Sequence, residues 1–372
     1  MSRAAVTVEQ FWHRVPGGTA TSVLHVLAAV PEVNAAAAAA DRVDVVGVAA
    51  RHKHHPSAAA LQLPVQVHHL PLPRRLLYEA WHGARRPRVQ LATGPVDVVH
   101  ATTAAIPPRS APLVVTVHDL AFLRTPEHFT RNGNRFFRRG LELTRRWADV
   151  VLVPSTQTLD DCVAAGIGTD RLRLVPWGVR PASTTAQQSR AALDRHGIRR
   201  PYVLWCGTTE PRKNLPTLLA AFAQVAAAVP DLDLVLVGPP GWGDALGSGA
   251  RPPRERVHVL GYVDDPDLQG LYAGATAFCY PSLFEGFGMP VLEAMAHGVP
   301  VVTSKDSPMA ELAGDAGLVV PATDVTALAQ ALAAACGPER DRLAARAAGR
   351  AAGYRWQDAA RATLQAYRDV SA

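Results

Sequence analysis

The chain has 372 residues, and at roughly 100 to 200 residues per domain that length predicts two domains with two cores. Hydrophobic residues make up 48% and charged residues 19%, with 28 Gly and 30 Pro spread along the chain, a balance that fits a globular protein and excludes collagenous and disordered classes. The net charge of +6 suits a phosphorylated ligand, an anionic membrane surface or nucleic acid. Nucleic acid is set aside because aromatics are only 6% and no helix-turn-helix, zinc-finger or RNA-recognition signature is found.

Short Val/Leu/Ile runs alternate with longer Ala/Leu/Arg segments of helical spacing, the pattern of buried parallel strands and their covering helices. In chain order the predicted strands of the first half are 5–8, 43–48, 65–68, 96–100, 113–117, 150–153 and 172–175, with helices at 19–30, 74–83, 134–148 and 156–165. The stretch Pro176 to Gln188 is rich in Pro, Ser, Thr and Gln and is read as the linker. A second alternation follows, with strands at 202–206, 232–237, 257–260, 277–280, 301–303 and 317–320 and helices at 215–228, 267–273, 290–297, 309–313 and 325–335. The Ala-rich runs at 35–40 and 344–352 read as ordinary surface helix.

The expected class is therefore α/β, with two Rossmann-like doubly wound parallel-sheet domains, 1–180 and 189–355, and ligands in the cleft between them. Four cysteines, Cys162, Cys206, Cys279 and Cys336, stand without a C-x-x-C pair. This argues against a disulfide framework or a zinc site and for a reducing, cytoplasmic compartment. No signal-peptide pattern and no run of about 18 uncharged apolar residues is present, so neither export nor membrane insertion is expected.

The most informative segment is Pro281 to Thr303, PSLFEGFGMPVLEAMAHGVPVVT. It leaves a buried strand, passes Gly286 and Gly288, starts a helix near Met289 and Pro290, and returns at His297-Gly298 to another strand. The loop glycines allow close backbone approach to a ligand, and the helix start suits an anion. Glu285 and Glu293 stand eight positions apart, one in the loop and one in the helix. Each carboxylate is a natural acceptor for the vicinal hydroxyls of a ribose or hexose. Taken singly, each also reads as a solvated acid or a helix-dipole acid.

In the second segment, YVLWCGTTEPRKNL, a strand ends at Gly207 and delivers Arg212 and Lys213 just before a helix. A planar fork and a point charge suit a diphosphate, and cations at a helix start oppose the dipole unless an anion is present. A third segment, LVVTVHDLAFL, places His118 and Asp119 at a strand's carboxyl end. A fourth, Val15 to Ser22, carries the pair Gly17 and Gly18 before a helix, which by itself signals only a turn.

Together these segments resemble the E-x7-E signature and associated motifs of the retaining family 4 glycosyltransferases, which have the GT-B architecture, and the resemblance covers nearly the whole chain. It implies that Arg212 and Lys213 hold the donor diphosphate and stabilise charge on the leaving group. It also implies that His118, oriented by Asp119, faces the donor sugar, and that Glu285 and Glu293 grip the donor with Gly286, Phe287, Gly288 and Met289. Gly17 and Gly18 would lie against the phosphates and acceptor, and Gly207, Tyr262 and Val263 would belong to the donor site, the last two meeting the nucleobase through their backbone. Trp177 stands where the family has Asn, a departure read as without catalytic consequence. The tail 356–372 looks like the terminal helix that returns to the first domain.

The implied reaction is metal-independent transfer of a hexose with retention, with a nucleotide-diphosphate sugar as co-substrate, no further cofactor, and a glycan or lipid-linked acceptor. The wording of the 285–293 loop favours GDP-mannose; UDP-glucose and UDP-N-acetylglucosamine share most of the remaining pattern. A sugar-nucleotide epimerase on the same scaffold stays open, as does a catalytically silent sugar-binding protein. A nucleotide-binding oxidoreductase lacks its glycine fingerprint here. Finally, Leu77, Ala80, Trp81 and Ala84 recur at helical spacing among Arg74, Arg75, Arg85, Arg86 and Arg88. That segment reads either as a peripheral contact with anionic membrane or as a core-packed helix with a basic rim.

Overall fold

The computed structural model describes residues 1–13, 17–54, 63–241 and 252–371. Val15 and Pro16 of the glycine-pair segment lie outside the described residues. The chain divides into two compact units, residues 1–178 with 355–372 and residues 179–354.

The first unit is built on seven parallel strands, β1 (Ser2–Thr7), β2 (Val43–Ala49), β3 (Val67–His69), β4 (Val98–Ala101), β5 (Leu113–Thr116), β6 (Val150–Val153) and β7 (Leu172–Leu174). Their spatial order is β3-β2-β1-β4-β5-β6-β7. The second holds six, β8 (Tyr202–Cys206), β9 (Asp233–Val237), β10 (Val257–Gly261), β11 (Ala277–Tyr280), β12 (Val301–Ser304) and β13 (Gly317–Val320), in the order β10-β9-β8-β11-β12-β13. All registered pairs are parallel; β8 and β11, for example, align Val203 with Ala277. The central strands are buried on both faces, which is why they read as continuous apolar runs and not as alternating ones. In each sheet the order reverses once, beside β1 and β4 in the first and beside β8 and β11 in the second. At such a switch point the connections diverge and leave room for a ligand outside the carboxyl ends.

Two local expectations change, and an open alternative is decided for one segment. The first helix runs Gly17–Ala36 and stops within the alanine run, with only a 3-10 turn at Ala39–Asp41 after it. Alanine propensity yields there because the Asn34 amide bonds both backbone groups of Val43, 2.9 Å to its carbonyl and 3.1 Å from its N–H, tying the helix end to the start of β2. The stretch read as linker contains the start of a helix, Ala186–Arg195, closed by a reciprocal capping box between Thr185 and Gln188. The basic segment forms the helix Arg74–His82, with Leu77 and Trp81 buried in the first unit's core. Arg85 is occupied there, donating to the carbonyls of Trp81, Ile106 and Pro107.

The C-terminal helix, Trp356–Ser371, is built into the first unit. Tyr367 lies 2.6 Å from His100 Nδ1 on β4, and Trp356 stacks on His25 of the first helix at 4.9 Å.

Candidate functional site

At the switch point of the second sheet, the loops after β8 and β11 are pinned to each other. Leu283 N donates to Arg212 O at 2.8 Å, and Asn214, in the left-handed conformation at the start of the helix Leu215–Ala228, donates to Pro281 O at 3.0 Å. This backbone stitching brings side chains some seventy positions apart together. Lys213 Nζ donates to Glu285 Oε1 at 2.5 Å and to the Tyr280 hydroxyl at 2.7 Å. Arg212 Nη1 donates to Glu285 Oε2 at 2.9 Å, and its Nε lies 2.7 Å from Glu210 Oε1.

Glu210, Lys213 and Glu285 are all buried, so two cations and two carboxylates compensate one another in a low-dielectric pocket. Burial opposes ionisation of Glu285, but Arg212 and then Lys213 outweigh it and hold the carboxyl at about 2. Burial, partly offset by Glu285, lowers the Lys213 ammonium from its ordinary value. Lys213 has donors for both of these acceptors and one N–H more, which suits an anionic oxygen arriving at this point. Sequence reasoning found Arg212, Lys213 and Glu285 but missed Glu210, whose place two residues before Arg212 was the available signal, and Tyr280, which reads as an ordinary strand residue.

Glu293 sits apart from this cluster. On the helix Met289–Ala296, it accepts from the Tyr272 hydroxyl at 3.0 Å, and burial raises its carboxyl to about 7. Gly288 begins that helix with φ +103, and an added Cβ would stand 2.4 Å from Met309 Cγ, so only glycine fits. No side chain caps the helix, leaving the amides near Met289 for another partner. Phe287 is buried edge-on to Tyr354 at 6.3 Å. Gly207 passes so close to Gly238 that a Cβ on the latter would meet Gly207 O at 1.9 Å. Tyr262 is 79% exposed, whereas Val263 is buried.

In the first unit, His118 follows β5 and its Nε2 lies 2.8 Å from Thr102 O, just beyond β4. A carbonyl only accepts, so Nε2 carries the proton and Nδ1 presents a lone pair. Nδ1 is buried and has no hydrogen-bond partner among the described residues. Burial lowers the ring's pKa, keeping it neutral. Thr102 therefore fixes the ring by hydrogen bond, while Asp119 Oδ1 accepts from Ala121 N at 3.0 Å.

A cavity beside His118 is lined also by Thr102, Thr116, Tyr367 and Trp177. The Trp177 ring lies 5.3 Å from the imidazole. A position read as inconsequential thus forms a wall of the His118 pocket, which linear spacing could not reveal. Gly17 adopts φ +63, while a Cβ on Gly18 would meet nothing within 4 Å. Among the described residues no group of three or more His, Cys, Asp or Glu could hold a metal ion, and no helix is long and apolar enough to cross a membrane.

Two parallel sheets with these switch-point sites define a protein of the GT-B glycosyltransferase fold. Solved structures share it: Anabaena HepE in complex with UDP and glucose superimposes with a TM-score of 0.73 at 19% identity over 98% of both chains. WaaG, a glycosyltransferase involved in lipopolysaccharide biosynthesis, does so with a TM-score of 0.70 at 18% identity over 97% of this chain and 98% of its own. The profile described as Glycosyltransferase Family 4 matches residues 16–183, and that described as Glycosyl transferases group 1 matches 200–337. The O-antigen chain mannosyltransferase B of Escherichia coli is 32% identical over 282 residues, 73% of this chain and 74% of the relative. The phosphatidyl-myo-inositol mannosyltransferase of Mycobacterium leprae is 33% identical over 55% of each chain. The chain belongs to glycosyltransferase family 4 and is a glycosyltransferase resembling the mannosyltransferases within it.

Proposed function

We propose that this protein transfers a hexose, mannose from GDP-mannose in first place, to a hydroxyl of a glycan or lipid-linked acceptor with retention at the anomeric carbon. The observation that carries this reading is the convergence of Arg212, Lys213 and Glu285 at the carboxyl edge of β8 and β11. In this reading the diphosphate lies against Arg212 and Lys213, whose charge stabilises the departing nucleotide. Glu285 fixes both cations and accepts from sugar hydroxyls, Glu293 accepts from the ribose, and the lone pair of His118 accepts from a hydroxyl of the transferred sugar.

A double displacement would need a carboxylate nucleophile beneath the anomeric carbon. Glu210, Glu285 and Glu293 are otherwise assigned, so the departing diphosphate takes the acceptor's proton on the same face and the protein contributes positioning and charge stabilisation. In this reading the two cations supply the positive charge that a divalent ion would otherwise give, which supports turnover without metal.

The mannosyltransferase relatives support mannose as the sugar moved. HepE, solved with UDP-glucose, gives the UDP-sugar alternative its support. Thermal unfolding with GDP and with UDP separates the two: a nucleotide at 100 times its Kd stabilises by about 2.7 kcal/mol, and the base that gives no shift is excluded. A shift with neither would overturn the reading. A cytoplasmic setting agrees with four unpaired cysteines. The exposed Arg75, Leu76, Arg86 and Arg88 support peripheral contact with an anionic membrane in place of the buried Leu77 and Trp81.

A further inference from the structure

The hydroxyls that line the cavity beside His118 belong to Ser22, Thr102, Thr116, Thr363 and Tyr367, all in the first unit. Three of them spend their hydrogens on backbone carbonyls: Ser22 on Thr19 O at 3.0 Å, Thr102 on Thr7 O at 2.5 Å and Thr363 on Ala359 O at 2.8 Å. The other two share one imidazole. His100 Nδ1 lies 2.6 Å from the Tyr367 hydroxyl, and its Nε2 lies 2.7 Å from Thr116 Oγ1. Burial keeps that ring neutral, its pKa lowered to about 3, so it has one N–H and one lone pair to divide between them. One hydroxyl donates to the ring and the other receives from it.

The phenol is the more acidic of the two, and its oxygen, conjugated with the ring, is the poorer acceptor. Tyr367 therefore donates to Nδ1, and Nε2–H donates to Thr116 Oγ1. The Thr116 hydrogen is then left without an acceptor among the described residues. Thr116 ends β5 and His118 follows two positions on, where Val117 N still bonds to Leu152 O at 2.9 Å, so both side chains lie on one face of the sheet. They do not satisfy each other, because His118 Nδ1 has no hydrogen-bond partner among the described residues. A spare O–H and a spare lone pair thus line one cavity, the complement of a single hydroxyl group.

We infer that one hydroxyl of the transferred sugar donates to His118 Nδ1 and accepts from Thr116, with His100 and Tyr367 as positioning residues that turn the Thr116 hydrogen toward the cavity. Assignment to the transferred sugar rests on the donor reading above; the direction of the hydrogen bonds rests on these contacts alone. The lone pair is enough to hold a hydroxyl, and the added donor selects one, since an acetamido N–H offers no lone pair to Thr116.

Calorimetry on the full-length protein compares GDP-mannose with GDP and UDP-glucose with UDP, so that the sugar's share of binding is the ratio within each pair. Thr116→Val keeps the side chain's shape and removes its hydroxyl. It lowers that ratio about tenfold with the affinity for the bare nucleotide unchanged, Thr116→Ser restores it, and Tyr367→Phe lowers it about threefold. An unchanged ratio in Thr116→Val, or an equal loss for the bare nucleotide, overturns the inference. NMR of 15N-labelled histidine rings reads the His100 tautomer in the wild type, its signals being those displaced in both Thr116→Val and Tyr367→Phe. Protonated Nε2 is expected; protonated Nδ1 means that Thr116 donates to the ring, and removes its role in the cavity. The two readings fail separately. Sugar-nucleotide binding that ignores Thr116 removes only this inference, whereas wild-type protein that binds neither GDP-mannose nor UDP-glucose removes the donor reading and the inference with it.

Discussion

At the switch point of the second sheet, two cations and two carboxylates neutralise one another in a buried cluster; at that of the first, His118 is neutral, held by one backbone carbonyl, with its second nitrogen unpartnered among the described residues. The two units share strand topology yet prepare for a ligand in different ways. In the proposed reading, the diphosphate brings charge, so its site needs cations, and cations in a buried place need counter-charges to remain folded before the ligand arrives. The sugar hydroxyl proposed for His118 brings only a hydrogen bond, so a single preformed lone pair is enough.

The largest effect that tests this contrast comes from Lys213→Ala and Glu285→Ala. Each should lower transfer by at least about a thousandfold, and each leaves an opposite charge buried and underpaired, which destabilises by about 3–5 kcal/mol. Urea unfolding beside a turnover assay measures both, and wild-type stability in Lys213→Ala would show that the cluster is not coupled. His118→Ala should separate the two quantities. Turnover falls about a hundredfold, while stability changes by about 1 kcal/mol, the scale of one hydrogen bond.

Glu293 and Glu285 differ in pH dependence. Glu293 titrates at about 7 when folded, against an ordinary 4.5, so the folded state keeps a proton that the unfolded chain has released. Its contribution is present below pH 4.5 and is lost as pH rises through 7, on the order of 2–3 kcal/mol. Glu285 works the other way. Its folded value of about 2 gives stability above pH 4.5 that is lost as pH falls through 2. Denaturation midpoints of Glu293→Gln should therefore be flatter than those of wild type between pH 5 and 8, and parallel slopes would remove the assignment.

Trp177→Asn should change KM for the donor severalfold, with little change in stability, since it alters one wall of the His118 cavity. Turnover in excess chelator should not change, because Arg212 and Lys213 supply the positive charge; loss of activity that added divalent ion restores would contradict that account.

Much of the fold is readable from linear pattern. Buried parallel strands are continuous apolar runs, and the helix Leu215–Ala228 begins and ends where its spacing predicts. The misplacements occur where a distant or side-chain bond overrides propensity, as with Asn34 on Val43 and the Thr185–Gln188 box. In the site, Arg212 and Lys213 were legible because cations at a helix start oppose the dipole, and Glu285 because the whole pattern from 281 to 303 resembles the family 4 signature. Glu210, Tyr280 and Trp177 were not, because each looks ordinary beside its neighbours and gains its meaning from a partner far along the chain.

What the sequence determined by itself is the alternation of strand and helix, the two-part plan and the residue types placed at strand ends, since these follow from local periodicity and turn chemistry. Tertiary structure alone decided that Glu285 is neutralised by both cations, that His118 is held by Thr102 and not by Asp119, and that Trp177 closes its pocket. Ionisation and hydrogen bonding depend on distance and dielectric, and neither exists until the chain has folded.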